Sequence, residues 1–151
     1  MRGKAPAIMT VRKVSPSEAR ELMERDGYAY VDVRSVPEYE GGHPDGAFNV
    51  PIAHASPGGM QPNGDFVAVM SAAFPKDAKL VVGCLMGGRS ARACAALEAA
   101  GFTALVDQRA GFGGAKDAFG RVSEPGWSAQ GLPCAAGPDA ERGYEALKRK
   151  G

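Results

Sequence analysis

Between Lys79 and Asp107 the chain runs strand, loop, helix and strand in immediate succession, and this segment restricts the fold more than any other. Lys79-Leu80-Val81-Val82-Gly83 is a short apolar run of strand type. Arg89 to Ala100 has a helical pattern ended by Gly101, and Thr103 to Asp107 is the next strand. The same alternation extends upstream. After a strand at 10–14, Ser15-Pro16-Ser17-Glu18 pairs a cap residue with proline at the first helical position and an acid three residues after the cap, predicting a helix to about Arg25. Tyr28 to Val33 reads as a strand, Val36 to Glu40 as a helical turn, and Ala47 to Val50 as a short strand. Residues 51–75 read as a loop followed by one helix, 108–134 as irregular, and 139–150 as a final, mostly polar helix. Strands alternating with helices predict an α/β protein with a mostly parallel sheet covered on both faces.

A chain of 151 residues accommodates one core, and 44% hydrophobic residues suffice to fill it. The expected organisation is a tail at 1–9, a domain at 10–134 and a helical extension at 135–151. The net charge of +1, with signs interspersed, gives no support for binding along a nucleic-acid backbone. No signal-type apolar run stands at the N-terminus and no stretch approaches the length of a membrane span, so the sequence predicts a cytoplasmic protein without a membrane partner. Three unevenly spaced cysteines fit neither a disulfide framework nor a metal site. Neither a metal nor another cofactor is expected.

The chemistry concentrates at Cys84-Leu85-Met86-Gly87-Gly88-Arg89-Ser90. A strand fixes the sulfur, glycines allow backbone N–H groups to converge on it, and the following helix adds the partial positive charge of its N-terminus. In open α/β sheets this place, beyond the carboxyl end of a strand, is where ligands bind. Cys84 is the candidate nucleophile, favoured in its thiolate form without a dedicated base. The loop of Leu85, Met86, Gly87, Gly88 and Ser90 is the candidate cradle, and Arg89 the candidate anion-binding fork.

These residues resemble the rhodanese-like sulfurtransferases. Val31-Asp32-Val33-Arg34 with Glu38 and Gly42-His43-Pro44-Asp45-Gly46-Ala47-Phe48-Asn49-Val50-Pro51 is similar to that family's first signature. The Cys84 to Ser90 loop, the Gly101-Phe102 turn, and Trp127 with Gly131-Leu132-Pro133 are similar to its later ones, so the resemblance covers about residues 10–134. It implies a single rhodanese-like domain with a five-stranded sheet. It further implies that Cys84 takes the outer sulfur of thiosulfate or a related donor as a persulfide and passes it to cyanide or a thiol, while Arg89 holds the sulfonate. Two departures stand out. Pro44-Asp45 follows His43 where the family commonly has an aliphatic residue and proline, and 115–126 reads as an insertion beside the site.

Competing functions are ranked by the same residues. Cysteine phosphatases of related fold place five residues between nucleophile and arginine; here only four intervene, 85–88, which ranks a phosphatase or arsenate reductase behind a sulfurtransferase. A sulfur carrier or redox relay acting through a protein partner is the alternative of a different class. Asp32 and Arg34 are supporting candidates, Asp32 as a structural acceptor and Arg34 either at the anion site or, preferably, paired with Glu38 or Glu40. Ser90 is left open between substrate, persulfide and helix terminus. Cys94 is expected as a buried structural thiol, Cys134 as an incidental one rather than a resolving thiol, and His43 as a backbone partner rather than a base. Arg92, Arg109, Lys116 and Arg121 either lend positive potential to the mouth or form a solvated face.

Overall fold

A computed structural model describes residues 11–150; the predicted tail, 1–9, and Thr10 lie outside the described residues. Five strands form one sheet: β1 (Arg12–Val14), β2 (Ala29–Asp32), β4 (Phe48–Asn49), β7 (Lys79–Gly83) and β8 (Ala104–Gln108), in the order β1-β8-β7-β2-β4. Every neighbouring pair is parallel. A parallel sheet must be covered on both sides, and side chains alternate accordingly. Val31, Leu80, Val82 and Leu105 enter one core with residues of α3 (Phe66–Ala73) and α4 (Gly88–Ala99). Tyr30, Val81 and Val106 enter the other with Ala19 of α1 (Pro16–Arg25), Tyr39 of α2 (Val36–Gly41) and Trp127.

The start of α1 follows from its sequence. Ser15 Oγ accepts from the Glu18 amide at 3.1 Å while the Glu18 carboxylate accepts from the Ser15 amide at 2.8 Å, a reciprocal cap. Ser35 and Glu38 are placed alike at the start of α2. The last helix is shorter than its polar composition predicts. Asp139 Oδ1 accepts from the Glu141 and Arg142 amides, which holds a turn there, and α5 spans only Tyr144–Lys148. Tyr144 and Leu147 are buried in the α3/α4 core, so this segment packs as part of the same body.

Two hairpins replace stretches expected to be irregular. β5 (Ala53–Ser56) pairs antiparallel with β6 (Gly59–Pro62), and β9 (Ala115–Lys116) with β10 (Val122–Glu124) inside the 115–126 insertion. The tip of the second is closed by Asp117 Oδ1, which accepts from the amides of Phe119 and Arg121 at 2.9 and 3.0 Å. Its Phe119 is 85% exposed. The two remaining short strands, β3 (His43–Pro44) and β11 (Cys134–Ala135), pair antiparallel with each other.

Connectivity positions the site. From β2 the chain moves outward to β4, whereas from β7 it moves to β8, so the order reverses between β2 and β7. The crevice beyond their carboxyl ends is where such sheets bind ligands, and Arg34, Glu38 and Cys84 all follow these two strands.

Candidate active site

Cys84 is the first residue beyond β7. Gly83 before it has no room for a side chain, because a Cβ would run into the Tyr30 hydroxyl and lie 2.6 Å from the ring carbon that carries it. The Tyr30 oxygen accepts in turn from Gln108 Nε2 at 3.2 Å. Cys84 is 2% exposed, and its Sγ accepts a hydrogen bond from the Gly87 amide at 3.1 Å. Gly87 adopts φ +103°, and a Cβ there would stand 2.6 Å from the Arg109 carbonyl oxygen, so glycine is required twice over. α4 begins at the next residue, and its first amides, which have no partner within the helix, are directed toward the loop.

The loop is backed by a second strap. The amides of Phe112 and Gly113 donate to the carbonyls of Cys84 and Leu85 at 2.7 and 2.9 Å. Gly111 and Gly113 are glycines because the two segments nearly touch: a Cβ at Gly111 would collide with the Leu85 carbonyl, and one at Gly113 would lie 2.9 Å from Leu85 Cδ1. Close approach is thus their role. Trp127 secures the strap, its amide donating to Gly111 O at 2.9 Å and its indole N–H to Pro133 O at 2.8 Å.

Gln108 organises this layer and was not singled out by sequence reasoning. It is fully buried; Oε1 accepts from the Ala110 and Gly111 amides, and Nε2 donates to Gly111 O and to Tyr30. A glutamine closing an apolar strand is a faint signal, since most such residues face water.

Arg89 is already occupied. Its two terminal nitrogens donate to the two Glu38 oxygens at 2.7 and 2.9 Å, and Glu38 Oε1 also accepts from the Ser35 amide and hydroxyl. The guanidinium, foremost, and Ser35 hold the Glu38 carboxyl down at about 2, against the opposing effect of burial. The same hydrogen bond raises the Arg89 pKa. Of the five guanidinium N–H donors two are used, so the pair offers donors to a ligand but no net charge.

Arg34 does not pair with Glu38 or Glu40, as the sequence predicted. It folds back on Asp32, with Nε 3.0 and 3.1 Å from the two carboxylate oxygens and one terminal nitrogen 2.7 Å from Oδ2 and 2.6 Å from the Gly42 carbonyl. The guanidinium also lies 4.6 Å from the centre of the Phe112 ring. Glu38 is engaged by Arg89, which leaves Asp32 as the near carboxylate. Ser90, fully buried, is engaged within the protein: its hydroxyl lies 2.7 Å from Asp107 Oδ1 and 3.1 Å from the Gly87 carbonyl. Leu85 packs over Gly113, and Met86 is half exposed at the rim.

The other tempting residues stand apart. Cys94 is buried in the α3/α4 core, where desolvation pushes its thiol up to about 12. Cys134 is exposed on β11. His43 places Nδ1 2.7 Å from the Tyr39 carbonyl and stacks on that ring at 3.6 Å. Among the described residues no three of His, Cys, Asp and Glu converge as a metal site.

A buried cysteine beneath a tight glycine loop, at the switch point of a five-stranded parallel sheet and ahead of a helix, defines an α/β protein built around one thiol. Residues 15–116 match the family described as Rhodanese-like domain, and the chain belongs to it. It is 38% identical over 123 residues to thiosulfate sulfurtransferase 16, chloroplastic, of Arabidopsis thaliana, covering 82% of this chain and 92% of that protein. It is also 38% identical over 108 residues to rhodanese-like domain-containing protein 15, chloroplastic, of the same organism, covering 72% of this chain but 59% of that protein. The crystal structure of Rv0390 from M. tuberculosis superposes with a TM-score of 0.70 at 29% identity, over 85% of this chain and all of that one. The family is thus one with members named as sulfurtransferases. Both plant relatives are named chloroplastic, which overturns the expectation of a cytoplasmic location.

Proposed function

We propose that this protein is a thiosulfate sulfurtransferase that carries sulfane sulfur as a persulfide on Cys84. The observation that carries the reading is the Gly87 amide 3.1 Å from Cys84 Sγ, in a loop whose Gly87 cannot be replaced without collision. In the first half-reaction the Cys84 thiolate attacks the outer sulfur of thiosulfate; the sulfur–sulfur bond of the donor breaks and sulfite leaves with the electron pair. In the second, cyanide or a thiolate attacks the terminal sulfur of the persulfide, and Cys84 departs as thiolate. Amides of the 85–88 loop stabilise the charge on the terminal sulfur, and the free N–H groups of Arg89 face the sulfonate.

Deep placement of the sulfur and a loop of only four intervening residues favour a single sulfur atom over a tetrahedral phosphoryl or arsenyl group. Asp32 and Arg34 support the loop from below, and Ser90 fixes the start of α4; none of the three is assigned contact with substrate. The test is intact-protein mass after incubation with thiosulfate. One added sulfur atom, removed by cyanide and absent from Cys84→Ser, is the expected result. Labelling that persists in Cys84→Ser overturns the assignment.

A further inference from the structure

The strap at 109–113 lies along the back of the nucleophile loop. At one end the Arg109 carbonyl oxygen would stand 2.6 Å from a Cβ at Gly87, and at the other a Cβ at Gly111 would stand 2.6 Å from the Cys84 carbonyl oxygen. Between these points the Phe112 and Gly113 amides donate to the Cys84 and Leu85 carbonyls. In a planar trans peptide the N–H points opposite to the C=O, so two carbonyls drawn toward the strap turn the Leu85 and Met86 amides away from it. Neither of these amides has an acceptor among the described residues. The next amide along the chain, that of Gly87, is the one on Cys84 Sγ. Successive N–H groups turned the same way form a concave set of donors suited to negative charge.

One side chain sets the path of the strap. Gln108 closes β8 and is in register with Gly83, the residue before the nucleophile, on the neighbouring parallel strand. Every hydrogen-bonding position of its carboxamide is filled. Oε1 accepts from the Ala110 and Gly111 amides, both at 2.9 Å, and Nε2 donates to the Gly111 carbonyl at 2.9 Å and to the Tyr30 hydroxyl at 3.2 Å. Two backbone amides require an oxygen and a carbonyl requires an N–H, so neither a carboxylate nor an apolar side chain of this length serves both. The residue is fully buried, and water does not stand in for these bonds.

We propose that Gln108 is a positioning residue for sulfur transfer. By fixing Ala110 and Gly111 it keeps the Phe112 and Gly113 amides on the loop carbonyls, and through those carbonyls it aims the Leu85 and Met86 amides at the charge that develops on sulfur. The identity of that charge rests on the sulfurtransferase reading above; the orientation of the amides does not. Gln108 acts from behind the loop and takes no part in the bonds made and broken.

The test is the rate at which thiosulfate loads Cys84, followed by intact mass over a series of donor concentrations, in Gln108→Met, which keeps length and apolar bulk and removes every carboxamide bond. The rate at saturating donor is expected to fall about tenfold, less than the roughly hundredfold cost of deleting a donor outright. The half-saturating concentration should stay within about twofold, because Arg89, which faces the sulfonate, is untouched. Gln108→Glu keeps an oxygen for the Ala110 and Gly111 amides and should recover part of the lost rate. A saturating rate in folded Gln108→Met within about twofold of the unaltered protein, or a loss carried wholly by the half-saturating concentration, overturns the proposal. Nitrogen–proton correlation spectra of the unloaded protein read the geometry without turnover. The Leu85 and Met86 amide resonances are expected to move in Gln108→Met together with those of Phe112 and Gly113, and if Leu85 and Met86 stay in place the proposal is overturned. Should Gln108→Met fail to fold, Gln108→Glu is carried through both measurements with the same outcomes. If the unaltered protein does not load from thiosulfate, the sulfurtransferase reading fails, and the resonances alone decide whether Gln108 orients the amides.

Discussion

Two arginine–carboxylate pairs occupy the crevice between β2 and β7, and they differ in what water does to them. The inner pair, Asp32 with Arg34, has side chains only 2% and 4% exposed. The outer pair, Glu38 with Arg89, is 29% and 17% exposed. Both are bidentate, yet an enclosed pair cannot give up one partner without stranding a charge, whereas a pair at the rim can exchange its partner for water or for a ligand. Identical chemistry thus yields a clamp in one place and an adjustable contact in the other. The inner pair ties the end of β2 to the Gly42 carbonyl and to the Phe112 ring, hence to the strap behind the Cys84 loop. The outer pair faces the mouth.

The largest effect should come from the inner pair. Asp32→Asn leaves Arg34 buried without an anion and is expected to lower stability by about 3 kcal/mol. Urea unfolding, with the slope of the transition held as a check, measures it. A loss below about 1 kcal/mol would mean that water reaches Arg34 and that the two pairs do not differ as described.

Glu38→Gln probes the outer pair and should cost less, about 1 kcal/mol, because solvent screens the contact and the amide can still cap α2. Its signature is in pH. The unfolded chain protonates this carboxyl near 4.5, whereas the folded protein resists protonation until about 2. The depressed value therefore contributes stability above pH 4.5 that is lost as pH falls toward 2. In Glu38→Gln that part of the acid slope disappears. The substitution also restores net charge to Arg89, so the KM for thiosulfate should fall about threefold, most visibly at low salt. An unchanged KM would show that the carboxylate does not offset the guanidinium toward the donor.

How much of this was legible in the sequence depends on how far apart the partners lie along the chain. The order of strands and helices was readable because buried parallel strands such as Leu80 to Val82 are continuous apolar runs and because Ser15-Pro16-Ser17-Glu18 is a local cap. Cys84, Gly87 and Arg89 share one short loop, so their proximity follows from chain adjacency alone. The contact of Arg89 with Glu38 spans 51 positions, and that of Gln108 with Tyr30 spans 78, and nothing local encodes either. Arg34 misled for another reason: Glu38 stands four residues on, a helical spacing, but Arg34 precedes α2, where its side chain turns back along the end of β2. The hairpin of β5 and β6 escaped notice because its strands are short and carry His54, Ser56 and Gln61 in place of an apolar alternation.

The smallest effect is expected from Arg89→Lys. An ammonium keeps the charge but cannot fork onto both Glu38 oxygens, so the rim pair becomes a single contact of the kind that contributes little in water. Stability should move by no more than about 0.5 kcal/mol, and Glu38 should titrate higher than it does beside the guanidinium, since the hydrogen bond to Arg89 is the chief cause of its depression. Sulfur loading from thiosulfate should slow at low donor concentration, because two fixed N–H directions toward the sulfonate become one mobile ammonium. If Arg89→Lys instead unfolds at a urea concentration as low as Asp32→Asn, the outer pair is a clamp too. The mouth would then be held as rigidly as the floor, and solvent exposure would not be what separates them.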